Sequence, residues 1–512
     1  MNSFPILSLV IFLPLLGALA ISFCKAVKPA KIIAITMASL ELIASLSAVQ
    51  RFQASDSGFQ LVEKYAWISP LNIEFLVGVD GISVLFLPMT ALLTLVTIIA
   101  TWNSAQPLPR LHFALLLALE TATIGVFCAL DMVLFFLFWQ LTLPSLFLLI
   151  SLWGIGPKRR GAAIKFMLYM LFSSVPLLFA IMLLAINHAL QINDNILHGL
   201  AFSFPILLET VLPEHLQKLV FFLLLVSFAV KAPLVPLHTW LPTSAMEGST
   251  QVNALLIGLN LGVYGIVRFA MTLAPSAAVE YSWLLGLLGA IALIYGALIT
   301  IQQSNLRRLL AYASISQIGL VMIGIAALNM QGIQGAILQM LNFTLIAYSL
   351  MLMAGFIQHR SGTTEQRHLG GLIKVAPRLT GFYLLLIVAA MGIPGTSGFP
   401  AELLLVLGAL LGHPSLGVTT LAGLIILAVA LLNFSRRAFL GPITLPTVKQ
   451  LQDLRPRELC VLCIPLVLIL ALGFFPNTAL KINQAAAEEW LSRLLDQPKM
   501  EGDELASLTV IP

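Results

Sequence analysis

Charge is what this sequence has least of. Its 512 residues include 27 Lys and Arg and 22 Asp and Glu, 10% of the chain, whereas an ordinary soluble domain carries about 25%. So little charge cannot cover a surface that faces water on all sides, which excludes an ordinary soluble enzyme. Cysteine is equally scarce, at Cys24, Cys128, Cys460 and Cys463. The last two stand three apart in an apolar run, beside no histidine or further cysteine, so they read as packing thiols rather than metal ligands. The first residues, Met1 to Cys24, lack a basic leader and a small-residue cleavage site and read as a retained first spanning helix. A net charge of +5 and a pI near 9.0 do not point to nucleic acid, because the basic residues sit in short clusters between apolar runs.

Apolar runs are what fills the chain. Hydrophobic residues make up 59% and the mean hydropathy is +0.99. Runs of roughly 18 residues or more recur from end to end, each able to cross a bilayer core of about 30 Å. The sequence therefore predicts an all-α polytopic membrane protein of about fourteen spans, with no room for a soluble domain. Basic clusters follow the odd-numbered spans: Lys25, Lys28 and Lys31; Lys158, Arg159 and Arg160; Arg307 and Arg308; Arg360 to Arg378; Arg436 and Arg437. Acidic residues follow the even-numbered ones, from Asp56, Glu63, Glu74 and Asp80 through Asp194, Glu209 and Glu214 to Glu280. Positive loops stay inside, which places both termini and the acidic tail from Glu488 to Glu504 on the outer side of a bacterial inner membrane or an equivalent energy-transducing membrane. The loop holding Glu247 is the exception.

Two segments are unusual for lipid-embedded helices. Lys231-Ala-Pro233-Leu-Val-Pro236-Leu-His238-Thr-Trp240-Leu-Pro242 loses backbone donors at three prolines, and Gly392-Ile-Pro394-Gly395-Thr396-Ser397-Gly398-Phe399-Pro400-Ala-Glu402 combines glycine and proline. Both predict broken helices, in spans seven and twelve. They occupy corresponding positions in two blocks of five spans, the pattern of transporters built from inverted repeats. The expected divisions are helices 1 to 3 in residues 1–110, repeats in 111–275 and 276–440, and helix 14 with a polar tail in 441–512. Ionisable residues at membrane depth are costly unless they line a wet path or find a partner, which singles out Glu120, Lys165, Lys231 and Glu402. An amine in a low-dielectric site can release and regain a proton, and a nearby carboxylate can tune that exchange. Lys231 and Glu402 adjoin breaks and read as functional. Lys165 and Glu120 divide evenly between a path and a fixed pair, and His238 between holding water and bonding freed backbone. Glu41 and Asp131 read as structural.

At these segments the sequence resembles the antiporter-like subunits of respiratory complex I, of the chain M or ND4 type. The resemblance rests on Gly78-Val-Asp80-Gly81-Ile-Ser83, Phe138-Trp139, Ala163-Ile-Lys165-Phe166, Ala229-Val-Lys231-Ala-Pro233 through Pro242, Asn305-Leu-Arg307-Arg308 through Ser316, and Ile393 to Phe399. It implies fourteen helices with inverted five-helix repeats and discontinuous helices 7 and 12. It also implies the non-redox subunit of a proton-translocating NADH:quinone oxidoreductase, with no cofactor in this chain and with lipid, protons and other membrane-arm subunits as partners. The proton path carried over is Lys231, Glu402 and Lys165, with His238 carried over more weakly; Glu120 joins the candidate path only by its membrane depth. The chain departs from the family pattern where a fifth-helix glutamate is Gln140, an eighth-helix lysine is Asn260, and two histidines are Gln317 and Phe343. An Asp-Ala-His is Thr243-Ser244-Ala245. These neutral positions imply altered coupling. A cation/proton antiporter subunit, an inorganic-carbon uptake subunit or a hydrogenase-linked complex on the same fold is the alternative.

Overall fold

The computed structural model describes residues 4–192, 199–443, 448–449 and 451–495. Among them, 11 helices are long and apolar enough to cross a membrane. Three further expected spans are not among the 11, for visible reasons. The third is a helix of 15 residues, Phe86–Ala100. The seventh is split into Glu214–Lys231 and Trp240–Glu247, and the twelfth into Pro377–Ala390 and Gly398–Gly412. The two proline- and glycine-rich segments therefore interrupt their helices as expected.

The eighth span breaks too, which the sequence did not lead us to expect. Thr250–Gly258 ends at Leu259, Asn260 takes a left-handed φ of 41°, and the chain resumes at Leu261–Gly265 and passes into a π-helical turn, Ile266–Ala270. Asparagine tolerates this conformation because its short amide can bond locally. Its Nδ2 donates to the Gly258 and Met340 carbonyls at 3.2 and 3.1 Å, and to Thr344 Oγ1 at 3.1 Å. Gly262 then packs where a Cβ would lie 2.2 Å from the Ala232 nitrogen, so the eighth span is fitted against the break in the seventh.

A two-stranded antiparallel hairpin, Gln60–Ile68 with Ile73–Val79, stands within the acidic loop after the second span. Its Glu63 carboxylate accepts the Leu7 and Ser8 amides at 2.7 and 3.0 Å, which satisfies donors at the start of helix Ile6–Phe23. Asp131 does the same for helix Met132–Trp153, accepting Val133 and Leu134 amides at 2.9 and 3.0 Å. Asp194 and the residues after Leu495 lie outside the described residues. Glu488 and Glu489 do not stand in a loose tail: they belong to a helix, Asn477–Leu495, anchored by Trp490, whose Nε1 donates to the Val267 carbonyl at 3.0 Å.

The bundle has two chemically different ends. One gathers the hairpin, Asp80, the Asn477–Leu495 helix and the Lys218 ion pairs with Glu214 and Glu280. The other gathers the basic loops, tied by Arg307 to the Gly248 carbonyl, Arg360 to Glu458, and the Arg378 amide to Asp453 at 2.9 Å. Glu247 lies at the basic end, and its position there has a simple cause. Its carboxylate accepts the Lys158 amide at 2.7 Å, where helix Arg159–Gln191 begins.

Candidate functional site

Lys231 is the last residue of helix Glu214–Lys231, where the first proline cluster stops the hydrogen-bond ladder. The freed Val230 carbonyl is not left bare, because Trp240 Nε1 donates to it at 2.8 Å from beyond the break. The Lys231 ammonium points at helix Met132–Trp153. It donates to Thr142 Oγ1 at 3.0 Å and lies 3.8 Å from the centroid of the Trp139 ring. A cation over an indole face is attracted by about 0.5–2 kcal/mol, far less than a buried carboxylate would supply at that distance. Among the described residues Lys231 makes no ion pair. Gln140, where the resemblance places a glutamate, is engaged elsewhere: its Oε1 accepts Ser174 Oγ at 2.7 Å. A cavity with about 30 Å³ open to the centre of a water adjoins the ammonium, lined by Thr142, Lys231, Pro233, Asn260 and Ser314 among others. That is enough for about two waters.

Glu402 sits on the first full turn after the second break, 7% exposed. Gly392 makes the approach feasible. Its φ is +62°, and a Cβ there would lie 2.1 Å from Glu402 Oε2. Around the carboxylate runs a ladder of uncharged groups. Gln317 Nε2 donates to Glu402 Oε1 at 3.5 Å, Gln339 Nε2 to Gln317 Oε1 at 2.7 Å, and Asn342 Nδ2 to Gln339 Oε1 at 3.0 Å, while Ser397 Oγ donates to Asn342 Oδ1. Gln317, Gln339, Asn342 and Glu402 border a second cavity, also about 30 Å³, which Phe343 lines as well. Ser314, on helix Leu306–Ala326, lines both cavities. It is the wall shared by the Lys231 and Glu402 sites.

Lys165 and His238 stand at the first break and line neither cavity. Lys165 Nζ donates to the Thr239 carbonyl at 2.8 Å and Thr243 Oγ1 at 3.1 Å. The His238 ring meets those of Tyr295 and Tyr312 at 5.1 and 6.4 Å. Glu120 is not brought to either cavity; its neighbour Leu119 lines the Lys231 cavity instead. Reading by residue type passed over Thr142, Ser314, Gln339, Asn342 and Ser397. The available signal was the pair Gln339 and Asn342, three apart on one face in the apolar middle of helix Met330–Ser361.

Comparison with known proteins places this arrangement. The family described as NADH:quinone oxidoreductase/Mrp antiporter, TM, matches residues 129–428, which include both breaks, Lys165, Lys231 and Glu402. The chain belongs to this family. It is 36% identical over 490 residues to NAD(P)H-quinone oxidoreductase chain 4 1 of Synechococcus sp. (strain JA-2-3B'a(2-13)), covering 93% of this chain and 90% of that one. It is 32% identical over 507 residues to NADH-quinone oxidoreductase subunit M of Rickettsia conorii, covering 96% and 99%. Among solved structures it is similar to a chain of respiratory complex I from Thermus thermophilus with bound NADH, at a TM-score of 0.86 and 27% identity over 95% of this chain and 99% of that one. The Mrp complex from Dietzia sp. DQ12-45-1b shares the fold, at a TM-score of 0.83 and 22% identity over 96% and 98%. As a member of this family, the chain is a multi-pass membrane protein and an antiporter-like subunit.

Proposed function

We propose that this chain is a membrane-arm subunit of a NADH:quinone oxidoreductase-like complex and carries protons across the bilayer when quinone is reduced elsewhere in the assembly. The relatives named subunit M and chain 4 support the assembly, and the similarity to complex I supports neighbouring membrane-arm subunits as partners. One observation carries the path: Lys231 ends a broken helix beside a water-sized cavity, held by a hydroxyl and a ring rather than by a permanent counter-ion. The chain needs no cofactor of its own for this task. Fourteen spans, with residues 111–275 and 276–440 as inverted repeats, fit the paired breaks. The basic end faces the cytoplasm and both termini face outward.

The steps follow from which groups titrate. The Lys231 amine takes up and releases a proton at Nζ. Water carries it past Ser314 to the Glu402 carboxylate, the next titratable group on this line. Gln317, Gln339 and Asn342 cannot hold the proton, but their amides orient water and the carboxylate. Lys165 and His238 flank the line at the first break. Gln140 alters the coupling, because no glutamate stands at that position to pair with Lys231 and separate from it during a cycle. Glu402→Gln tests the second station. In vesicles holding the assembled complex, the variant is expected to lose most proton transport per quinone reduced while retaining assembly, because an amide keeps the hydrogen bonds but not the titration. Undiminished transport would remove Glu402 from the path.

A further inference from the structure

Among the described residues, five oxygen atoms on the second and fourth helices have no hydrogen-bond partner: both carboxyl oxygens of Glu41, both of Glu120, and Thr121 Oγ1. Their residues are 0%, 1% and 4% exposed. Buried polar groups in native proteins are almost always paired, so a cluster of this kind requires an explanation. The geometry brings the two acids to one level. Helices Val27–Arg51 and Pro109–Cys128 start together at the basic end, where Lys31 bonds the Trp102 carbonyl and Arg110 the Cys24 carbonyl. They run in the same direction. A Cβ at Gly17 would touch Met37 at 2.8 Å and Leu117 at 2.9 Å, so those side chains meet at one height. One turn further on stand Glu41 on one helix and Glu120 and Thr121 on the other. The two carboxyl groups act on each other electrostatically.

Among the described residues, no cation answers them. Helices Ile6–Phe23 and Phe86–Ala100, which pack against this pair, contain no titratable side chain. On the two helices themselves, Lys28, Lys31, Arg51 and Arg110 lie at the ends, and His112 packs on the Trp153 ring at 4.8 Å. Cys128, on which Glu41 and Glu63 act electrostatically, is also of acidic type. As ionised groups, the cluster would offer four acceptor oxygens and one hydroxyl donor. Each proton added to a carboxylate converts an acceptor into an O–H donor and removes a buried charge.

We propose that Glu41 and Glu120 form a proton-binding pair, held as two neutral carboxylic acids in the sealed helix interface and separate from the Lys231–Glu402 line. The proton is the ligand that suits so closed a site, since it needs no coordination sphere and no cavity. The pair deepens neither path station and stands whether or not Lys231 conducts. Infrared spectra of the membrane-embedded assembly at neutral pH test it through the C=O stretch of protonated carboxylic acid. Glu41→Gln and Glu120→Gln are each expected to remove one acid's worth of that band, and the double variant twice as much. Assembly is expected to be retained in all three, because an amide is a neutral near-isostere of a carboxylic acid. An unchanged band would overturn the pair, as would a band seen only after sodium and calcium are removed, which would assign the site to a metal cation. Failure of the glutamine variants to assemble would also overturn it, by showing that the negative charge is required.

Discussion

Replacing Lys231 with alanine is expected to reduce proton transport through the assembled complex by about an order of magnitude or more, with the assembly intact. The substitution removes the titrating amine at the seventh-helix break, and no other basic residue lines that cavity. It strands little else. The Thr142 hydroxyl loses one bond to an ammonium and the Trp139 face loses its cation, losses of about 1–3 kcal/mol against a large packed bundle. Proton transport in vesicles, measured beside quinone reduction and the amount of complex formed, separates transport from assembly. The same variant with full transport would assign Lys231 a structural role.

The largest expected loss of stability comes from Arg268→Ala. Arg268 belongs to the π-helical turn after the Asn260 break and reaches Asp80 at 2.5 Å, with both side chains almost wholly buried. It also lies over the Phe59 and Phe204 rings at 4.6 and 5.1 Å, joining the hairpin region to the eighth span. Removing one partner of a buried pair leaves the other charge uncompensated, a cost of about 3–5 kcal/mol. Asp80 would retain only the Ile82 and Ser83 amides, at 3.2 and 3.0 Å. Thermal unfolding of the purified complex is expected to show a clear fall for Arg268→Ala. Combining it with Asp80→Asn should lose less than Arg268→Ala alone, because no charge is then stranded. Equal losses in the two would mean that ring packing, not the ion pair, holds this corner.

The breaks in the seventh and twelfth spans were legible because proline and glycine are loud signals: Pro233, Pro236 and Pro242 remove donors, and Gly392 and Gly395 take positive φ values that other residues avoid. The break at Asn260 was silent. An asparagine in an apolar run resembles any polar substitution, and its left-handed turn depends on a carbonyl and a hydroxyl brought in by helix Met330–Ser361. The hairpin was hidden for a different reason. Its first strand, Gln60-Leu-Val-Glu63-Lys-Tyr-Ala-Trp-Ile68, lacks the polar–apolar alternation that marks a strand, and it lies among acidic residues that drew attention to sidedness instead. Glu247 shows that loop charge and local capping are separate matters, since one acidic residue at the basic end serves a helix start. The Glu402 ladder was half visible. Gln317 stood out by comparison with the family pattern, but Gln339 and Asn342 gain meaning only when three helices set their amides in one line.

The account depends on hydrogen ions reaching an amine deep in the apolar slab. Its most direct test replaces Lys231 with cysteine in a chain whose Cys24, Cys128, Cys460 and Cys463 are alanine, and exposes the intact complex to a small, charged, water-borne thiol reagent. The predicted result is modification at position 231 under conditions where the assembly remains whole. A thiol there that stays unmodified until the complex is unfolded would contradict it.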